Sequence, residues 1–246
     1  MDDKEEGSGA VPSRSNTRIG CSSTEGGKDL AYYHHSRGPL YDFVRAAGIR
    51  VGPRVLNVGC AAGLDGPHIR ALGGQVLTGI EPTDAANSAS LTYDSVLRCS
   101  FEEFAAPPFS FDNIIFADSF EHLSDPWQVL EKAGQLLTDG GSLIMSVPNV
   151  RHVSVLFDLL VRGDFEYAPE GIRDSTHLRF FTRKSLLRLL ASQDLVPIAF
   201  ARYGSLRLGR LLERLIPGSG EFLLTSMYLV ARKGNSSEVQ GEPAGM

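Results

Sequence analysis

Two glycines frame a short turn, Asn57-Val58-Gly59-Cys60-Ala61-Ala62-Gly63, that leaves an apolar run and enters a helical pattern. Glycine lets a backbone turn tightly and approach a ligand closely. The N-terminus of the helix behind it favours polar or anionic groups. Glu81 stands 22 residues after Gly59, at the end of the next apolar run. A carboxylate about 20 residues past such a turn is placed to accept hydrogen bonds from ribose hydroxyls. The pair implies a nucleoside-containing cofactor, against the plainer reading of a tight turn that binds nothing. Ala61 breaks the G-x-G-x-x-G pattern of a dinucleotide site, and no G-x-x-x-x-G-K-[ST] run is present.

Histidine titrates nearest neutral pH and is the first choice for a general base. His122, in Glu121-His122-Leu123, follows an apolar run and is the leading candidate; a structural loop histidine is the competing reading. His177, in Thr176-His177-Leu178-Arg179-Phe180-Phe181, precedes a helical pattern and could bind substrate, act as base or pack a loop. The adjacent His34 and His35 sit with Tyr32, Tyr33 and Arg37 ahead of the first strand. They lack the i, i+4 spacing that puts two ligands on one helix face, so no metal site is expected.

These residues need a scaffold. Five short apolar runs read as strands: Arg54–Gly59, Gln75–Ile80, Ser95–Arg98, Asp112–Ala117 and Ser142–Val147. Near-continuous apolar runs suit strands buried on both faces of a parallel sheet. Helical patterns fall between them, at Leu64–Leu72, at Pro126–Leu137 with Asp125 as N-cap, and at Thr182–Ala191. Asp139-Gly140-Gly141 reads as a glycine stop after the second helix. Late strands are expected at Val196–Arg202 and Phe222–Ala231. Strand then helix, repeated, gives an α/β, doubly wound sheet. Ligands in such folds sit beyond the C-terminal strand ends, where Gly59, Glu81 and His122 all fall.

The chain has 246 residues with a formal charge of −5, which argues against a general nucleic-acid binder. Three scattered cysteines exclude a disulfide scaffold and point to a reducing, cytoplasmic setting. The N-terminus carries no signal-peptide pattern, and no apolar run approaches the ~20 residues of a membrane span. Residues 1–28 and 234–246 are read as disordered tails, and 29–233 as one domain. Residues 149–180 form a long insertion that mixes Asn149, Arg151, His152, Phe165, Tyr167, Arg173 and Asp174, which suits a lid over a polar substrate. Leu208, Leu211, Leu212 and Leu215 make an apolar stripe within Ser205–Ile216. It fits packing on its own domain, contact with a membrane carrying a lipid-linked substrate, or a homodimer.

The stretch VLNVGCAAG…LTGIEP…FDNIIFADSFEHLSDPWQVLEKAGQLLTDGGSLIMSVPNV resembles class I S-adenosylmethionine (SAM)-dependent methyltransferases over about residues 30–232. It is similar to the small-molecule branch, including the ubiquinone-biosynthesis O-methyltransferases and methyltransferases of glycan and natural-product pathways. The resemblance implies a Rossmann-like seven-stranded sheet, mostly parallel, with the last strand antiparallel. It implies that Asn57, Gly59, Cys60, Ala61 and Gly63 surround the methionine part of SAM. Glu81 would hold the ribose hydroxyls, and Pro82, Ser100 and Phe101 would flank the adenine. Asp118 and Ser119 would lie beside the sulfonium. Three positions depart from the family pattern: Asn57 and Ser100 replace acidic residues, and Ala61 replaces a glycine. The expected activity is methyl transfer to a small polar acceptor, preferably a saccharide or specialised-metabolite hydroxyl. A non-catalytic accessory protein of the same fold is the competing expectation.

Overall fold

The computed structural model describes residues 36–203 and 219–234. Seven strands form one sheet: β1 (Arg54–Val58), β2 (Val76–Ile80), β3 (Ser95–Leu97), β4 (Phe111–Ala117), β5 (Leu137–Pro148), β6 (Leu195–Tyr203) and β7 (Ser226–Lys233). Their order is β3-β2-β1-β4-β5-β7-β6. Strands β1 to β5 pair in parallel, whereas β7 runs antiparallel to both β5 and β6. Because β2 and β4 lie on opposite sides of β1, the connections diverge there. That divergence opens a crevice at the C-terminal ends of β1 and β4.

Alternation along the strands divides the core in two. Leu56, Val58, Ile114, Phe116, Leu143 and Met145 face one layer. It is completed by Val129, Leu130 and Ala133 of α4 (Pro126–Leu136) and by Leu186, Leu189 and Leu190 of α6 (Arg183–Ala191). Val55, Leu77, Ile115, Ile144 and Val230 face the other. There they meet Leu40, Tyr41 and Val44 of α1 (Gly38–Ala46) and Ile69 of α2 (Gly66–Ala71). A short α3 (Ala86–Ala89) links β2 to β3.

Local chemistry sets the element ends. Asp125 caps α4 by accepting from the Trp127 and Gln128 amides. The expected glycine stop is absent: Leu137 is already extended and pairs with Phe111 across a bulge in the β4–β5 ladder. Strand β5 is thus longer than the apolar run alone indicates, and Asp139, Gly140 and Gly141 bulge out of the ladder between the Phe111–Leu137 and Asn113–Ser142 pairs. Helix α2 starts at Gly66 rather than Leu64, with Pro67 in its first turn. Strand β7 starts at Ser226 rather than Phe222, because Ser219–Leu223 forms a 3-10 turn. The buried Asn149 amide fixes that turn by donating to the Glu221 and Leu224 carbonyls at 2.7 and 3.0 Å.

The insertion after β5 holds α5 (Val153–Phe157), which runs on as a π-helical turn, Asp158–Arg162. Asp158 ties the insertion together by pairing with Arg162 and Arg173, each at 2.9 Å. Phe165, Tyr167 and Phe180 pack on one another before the chain returns to α6. Residues 1–28, all but Gly234 of 234–246, and the Ser205–Ile216 stripe lie outside the described residues. Among the described residues no helix is long and apolar enough to cross a membrane.

Candidate functional site

The turn after β1 is wound through left-handed backbone. Gly59, Ala61 and Gly63 have φ of +73°, +47° and +84°. A Cβ on Gly59 would lie 2.7 Å from the Ser119 Cβ, and one on Gly63 would lie 2.6 Å from the Ala89 Cα. Both glycines are therefore required by close packing as well as by conformation. The amides of Gly59 and Cys60 donate to the Ile80 carbonyl at 2.8 and 3.0 Å, which locks the turn against the end of β2.

Glu81 emerges beside this turn, with only 4% of its surface exposed. Its carboxylate accepts from the Ala61 amide at 3.0 Å, the Thr83 amide at 3.0 Å and the Thr83 hydroxyl at 2.6 Å. Across the crevice, Asp118 leaves β4 with φ of +48°. It accepts from the Ser146 hydroxyl at 2.6 Å and pairs with Arg37 at 2.7 Å. The Ser119 hydroxyl donates to the Val58 carbonyl at 2.7 Å, joining the ends of β1 and β4.

A cavity of about 380 Å³ fills this crevice. Gly59, Cys60, Ala61 and Glu81 line one end. Pro82, Ser100 and Phe101 line the side toward β3, and Asp118, Ser119 and His122 line the side toward β4. Two cofactor candidates fall outside the lining. Asn57 is fully buried and donates to the Tyr93 hydroxyl at 2.6 Å, so its contribution is to the core beneath the turn. Gly63 packs against α3 instead of facing the cavity. Burial, reinforced by Glu81, pushes the Cys60 thiol up to about 12, so it is no nucleophile near neutral pH.

A second cavity, of about 430 Å³, lies against the first and shares Arg37, Asp118 and His122 with it. His177 lines only this second cavity. The Nδ1 atoms of His122 and His177 face the carbonyls of Thr176 and Ile172, both at 3.1 Å. A carbonyl can only accept, so Nδ1 carries the proton in each neutral ring and Nε2 holds the lone pair. The two rings meet edge to face, 4.8 Å apart. Glu121 is buried behind them, and neither carboxyl oxygen has a hydrogen-bond partner among the described residues. Burial pushes its carboxyl well above the usual range, and nearby Asp118 adds to the shift. Donor atoms of Glu121, His122 and His177 lie within 4.8 Å of one another. This grouping was invisible in the sequence, because 55 residues separate His122 from His177.

Arg37 is the residue that sequence reasoning underused. The family resemblance sets it within an N-terminal cluster over the cofactor without singling out its partner. In the fold its amide donates to Asp65 at 2.9 Å while its guanidinium reaches Asp118, so it closes over both cavities.

Comparison with known proteins agrees with this fold. A family model described as a methyltransferase domain matches residues 32–199. The chain belongs to that family, in its class I, SAM-dependent form. Among curated proteins it is similar to the ubiquinone biosynthesis O-methyltransferase of Vibrio cholerae, with 29% identity over 167 residues. That match covers 63% of this chain and 67% of the relative. Among solved structures it resembles a SAM-dependent methyltransferase from Mesorhizobium loti, with a TM-score of 0.56 and 16% identity. That alignment covers 77% of this chain and 95% of the other. It also resembles the 1,6-didemethyltoxoflavin-N1-methyltransferase of Burkholderia thailandensis, with a TM-score of 0.54 and 17% identity. Here the coverage is 81% of this chain and 78% of the other. At these identities the structural likenesses establish the fold.

Proposed function

We propose that the protein transfers the methyl group of SAM to a hydroxyl of a small polar acceptor, a saccharide or specialised metabolite. The observation that carries this reading is the pair of abutting cavities that meet at Asp118 and His122. One cavity has the features a nucleoside sulfonium requires: a glycine cradle with no room for a Cβ, a buried carboxylate, and an apolar side at Phe101. Its volume is in the range of small-molecule sites. The other is lined by polar side chains of the insertion, including His152, Asp174 and His177.

In this reading Glu81 accepts hydrogen bonds from the ribose hydroxyls, and Pro82, Ser100 and Phe101 flank the adenine. The turn Gly59-Cys60-Ala61 meets the methionine part, and Arg37 offers its carboxylate a guanidinium. Gly63 and Asn57 act from behind, by shaping the turn. Asp118 and Ser119 lie beside the sulfonium. Bound SAM supplies an electrophilic methyl group. The protein aligns the acceptor oxygen with that carbon, and such alignment supplies much of the rate. His122 Nε2 takes the hydroxyl proton as the new bond forms. His177 and Asp174 hold the acceptor. The name of the ubiquinone-biosynthesis relatives favours oxygen as the methylated atom. Free Cys60 and Cys99 suit a cytoplasmic setting.

Calorimetric titration with SAM, followed by mass spectrometry of hydroxylated metabolite and glycan pools, tests the reading. Binding together with the gain of one methyl on an acceptor supports it. Absence of SAM binding overturns it in favour of a non-catalytic accessory protein, and the next experiment is then a search for its partner enzyme.

A further inference from the structure

Glu121 has no place in methyl transfer as described above, yet its position is unusual. It is 1% exposed, and neither carboxyl oxygen has a hydrogen-bond partner among the described residues. Oε1 lies 3.7 Å from His177 Nε2, too far for a hydrogen bond. A buried carboxyl without partners is costly. A proton neutralises its charge but leaves an O–H that itself lacks an acceptor at bonding distance. A cation held between Glu121 and its neighbours meets the charge and the lone pairs together. The backbone holds the carboxyl in place: the Glu121 carbonyl accepts from the Leu178 and Arg179 amides, each at 3.0 Å, which stitches the exit of β4 to the end of the insertion.

The neighbours are arranged for that task. Nδ1 of His122 and of His177 faces a backbone carbonyl at 3.1 Å, so each neutral ring keeps its lone pair on Nε2. A ring N–H tied to a backbone carbonyl is the usual outer support of a metal-bound histidine. Donor atoms of the three side chains lie within 4.8 Å of one another. Two ligands each roughly 2.1 Å from one tetrahedral ion stand about 3.4 Å apart, close to the Glu121–His177 spacing. The half-buried His122 can rotate to close the rest. We propose that Glu121, His122 and His177 form a binding site for a divalent transition-metal ion in the wall of the acceptor cavity. Two imidazoles and one carboxylate select ions of the zinc and iron(II) kind over Mg²⁺ and Ca²⁺, which take oxygen ligands. Three protein ligands leave a coordination position open. All three line the second cavity, and His122 also lines the first, so that position faces the place where acceptor and methyl group meet. With the ion bound, the His122 lone pair is engaged, and the ion replaces His122 in making the acceptor hydroxyl acidic. The hydroxyl proton leaves to solvent, its oxygen bonds the methyl carbon, and the methyl–sulfur bond breaks to give S-adenosylhomocysteine. This use of the ion rests on the proposed methyl transfer; the site itself does not.

The test is titration of the chelator-stripped full chain with Co²⁺, Zn²⁺ and Mg²⁺ in the absence of SAM. Co²⁺ is expected to bind at one equivalent and to show the visible absorption of a mixed nitrogen and oxygen site. Zn²⁺ should displace it, and Mg²⁺ at the same concentration should not. Glu121→Gln and His177→Ala should each weaken Co²⁺ at least about tenfold, since even outer-shell partners act on that scale. His152→Ala, in the same cavity but outside the cluster, should bind as the wild type does. A folded wild type that binds neither Co²⁺ nor Zn²⁺ would overturn the proposal. So would binding that survives both Glu121→Gln and His177→Ala, or that falls equally in His152→Ala. If the ligand variants do not fold, X-ray absorption of the Zn²⁺-loaded wild type decides: two imidazoles with oxygen ligands support the site, and any other imidazole count overturns it. A protein that binds SAM but no metal loses this inference and keeps the methyl-transfer reading; one that binds metal but not SAM does the reverse.

Discussion

Replacing Glu81 with alanine is the most direct challenge to the cofactor site. A carboxylate has about four lone-pair positions. Three donors already reach the Glu81 carboxylate: the Ala61 amide, the Thr83 amide and the Thr83 hydroxyl. Two ribose hydroxyls cannot both be accommodated without one of these bonds yielding. The Ala61 amide, on the turn that lines the cavity, is the one that can turn toward the ligand. Hydrogen bonds to a charged group contribute about 1.5–3 kcal/mol each. Two gained against one surrendered leaves a net of about 2 kcal/mol, and Glu81→Ala should weaken SAM about 30-fold. The ribose is common to SAM and S-adenosylhomocysteine, so both ligands should lose the same factor. Calorimetric titration of the two ligands, with a thermal melt to confirm folding, reads this directly. A folded variant that binds both ligands within threefold of wild type would refute the assignment. Loss confined to SAM would show that Glu81 senses the sulfonium charge instead.

Gly63→Ala should cost about 2 kcal/mol or more of stability, because φ is +84° and the new Cβ would meet Ala89 and Thr92; a denaturant melt measures it. Arg37→Ala should weaken SAM about tenfold by removing a cation from the methionine carboxylate, yet barely move the melting temperature, since its pair with Asp118 is partly exposed. Glu121→Gln should stabilise the protein as pH rises. The folded state keeps the Glu121 proton above the unfolded value of about 4.3, so stability falls with rising pH in the wild type and not in the variant. Melts from acid to alkaline pH should therefore coincide near the ordinary carboxylate range and separate steadily above it; a constant offset would contradict the shift. Cys60 should resist iodoacetamide at neutral pH while the protein stays folded, as peptide mapping would reveal.

Much of the architecture was legible because the strands are buried on both faces. Runs such as Ile114-Ile115-Phe116 have no polar side to present, which marks a parallel strand without any long-range information. Element ends were less legible where a partner decided them. Leu137 leaves its helix because Phe111 is there to pair with, and Phe222 stays out of β7 because Asn149 holds the preceding turn. Neither cause is local. Most of the cofactor candidates line one cavity because they lie within one or two turns of a strand end, where the fold leaves side chains few directions.

The sequence alone determined the sheet, the glycine turn and the acidic residue 22 positions beyond it, since each depends on short-range pattern and backbone conformation. Asn57 looked the same in sequence as its lining neighbours, but strand alternation turns it inward to Tyr93. Tertiary structure decided that Arg37 bridges to Asp118, that two cavities share one wall, and that His122 and His177 meet in front of a buried Glu121. Those contacts join segments far apart in the chain. Their energetics depend on exclusion of water, which only the packed fold provides.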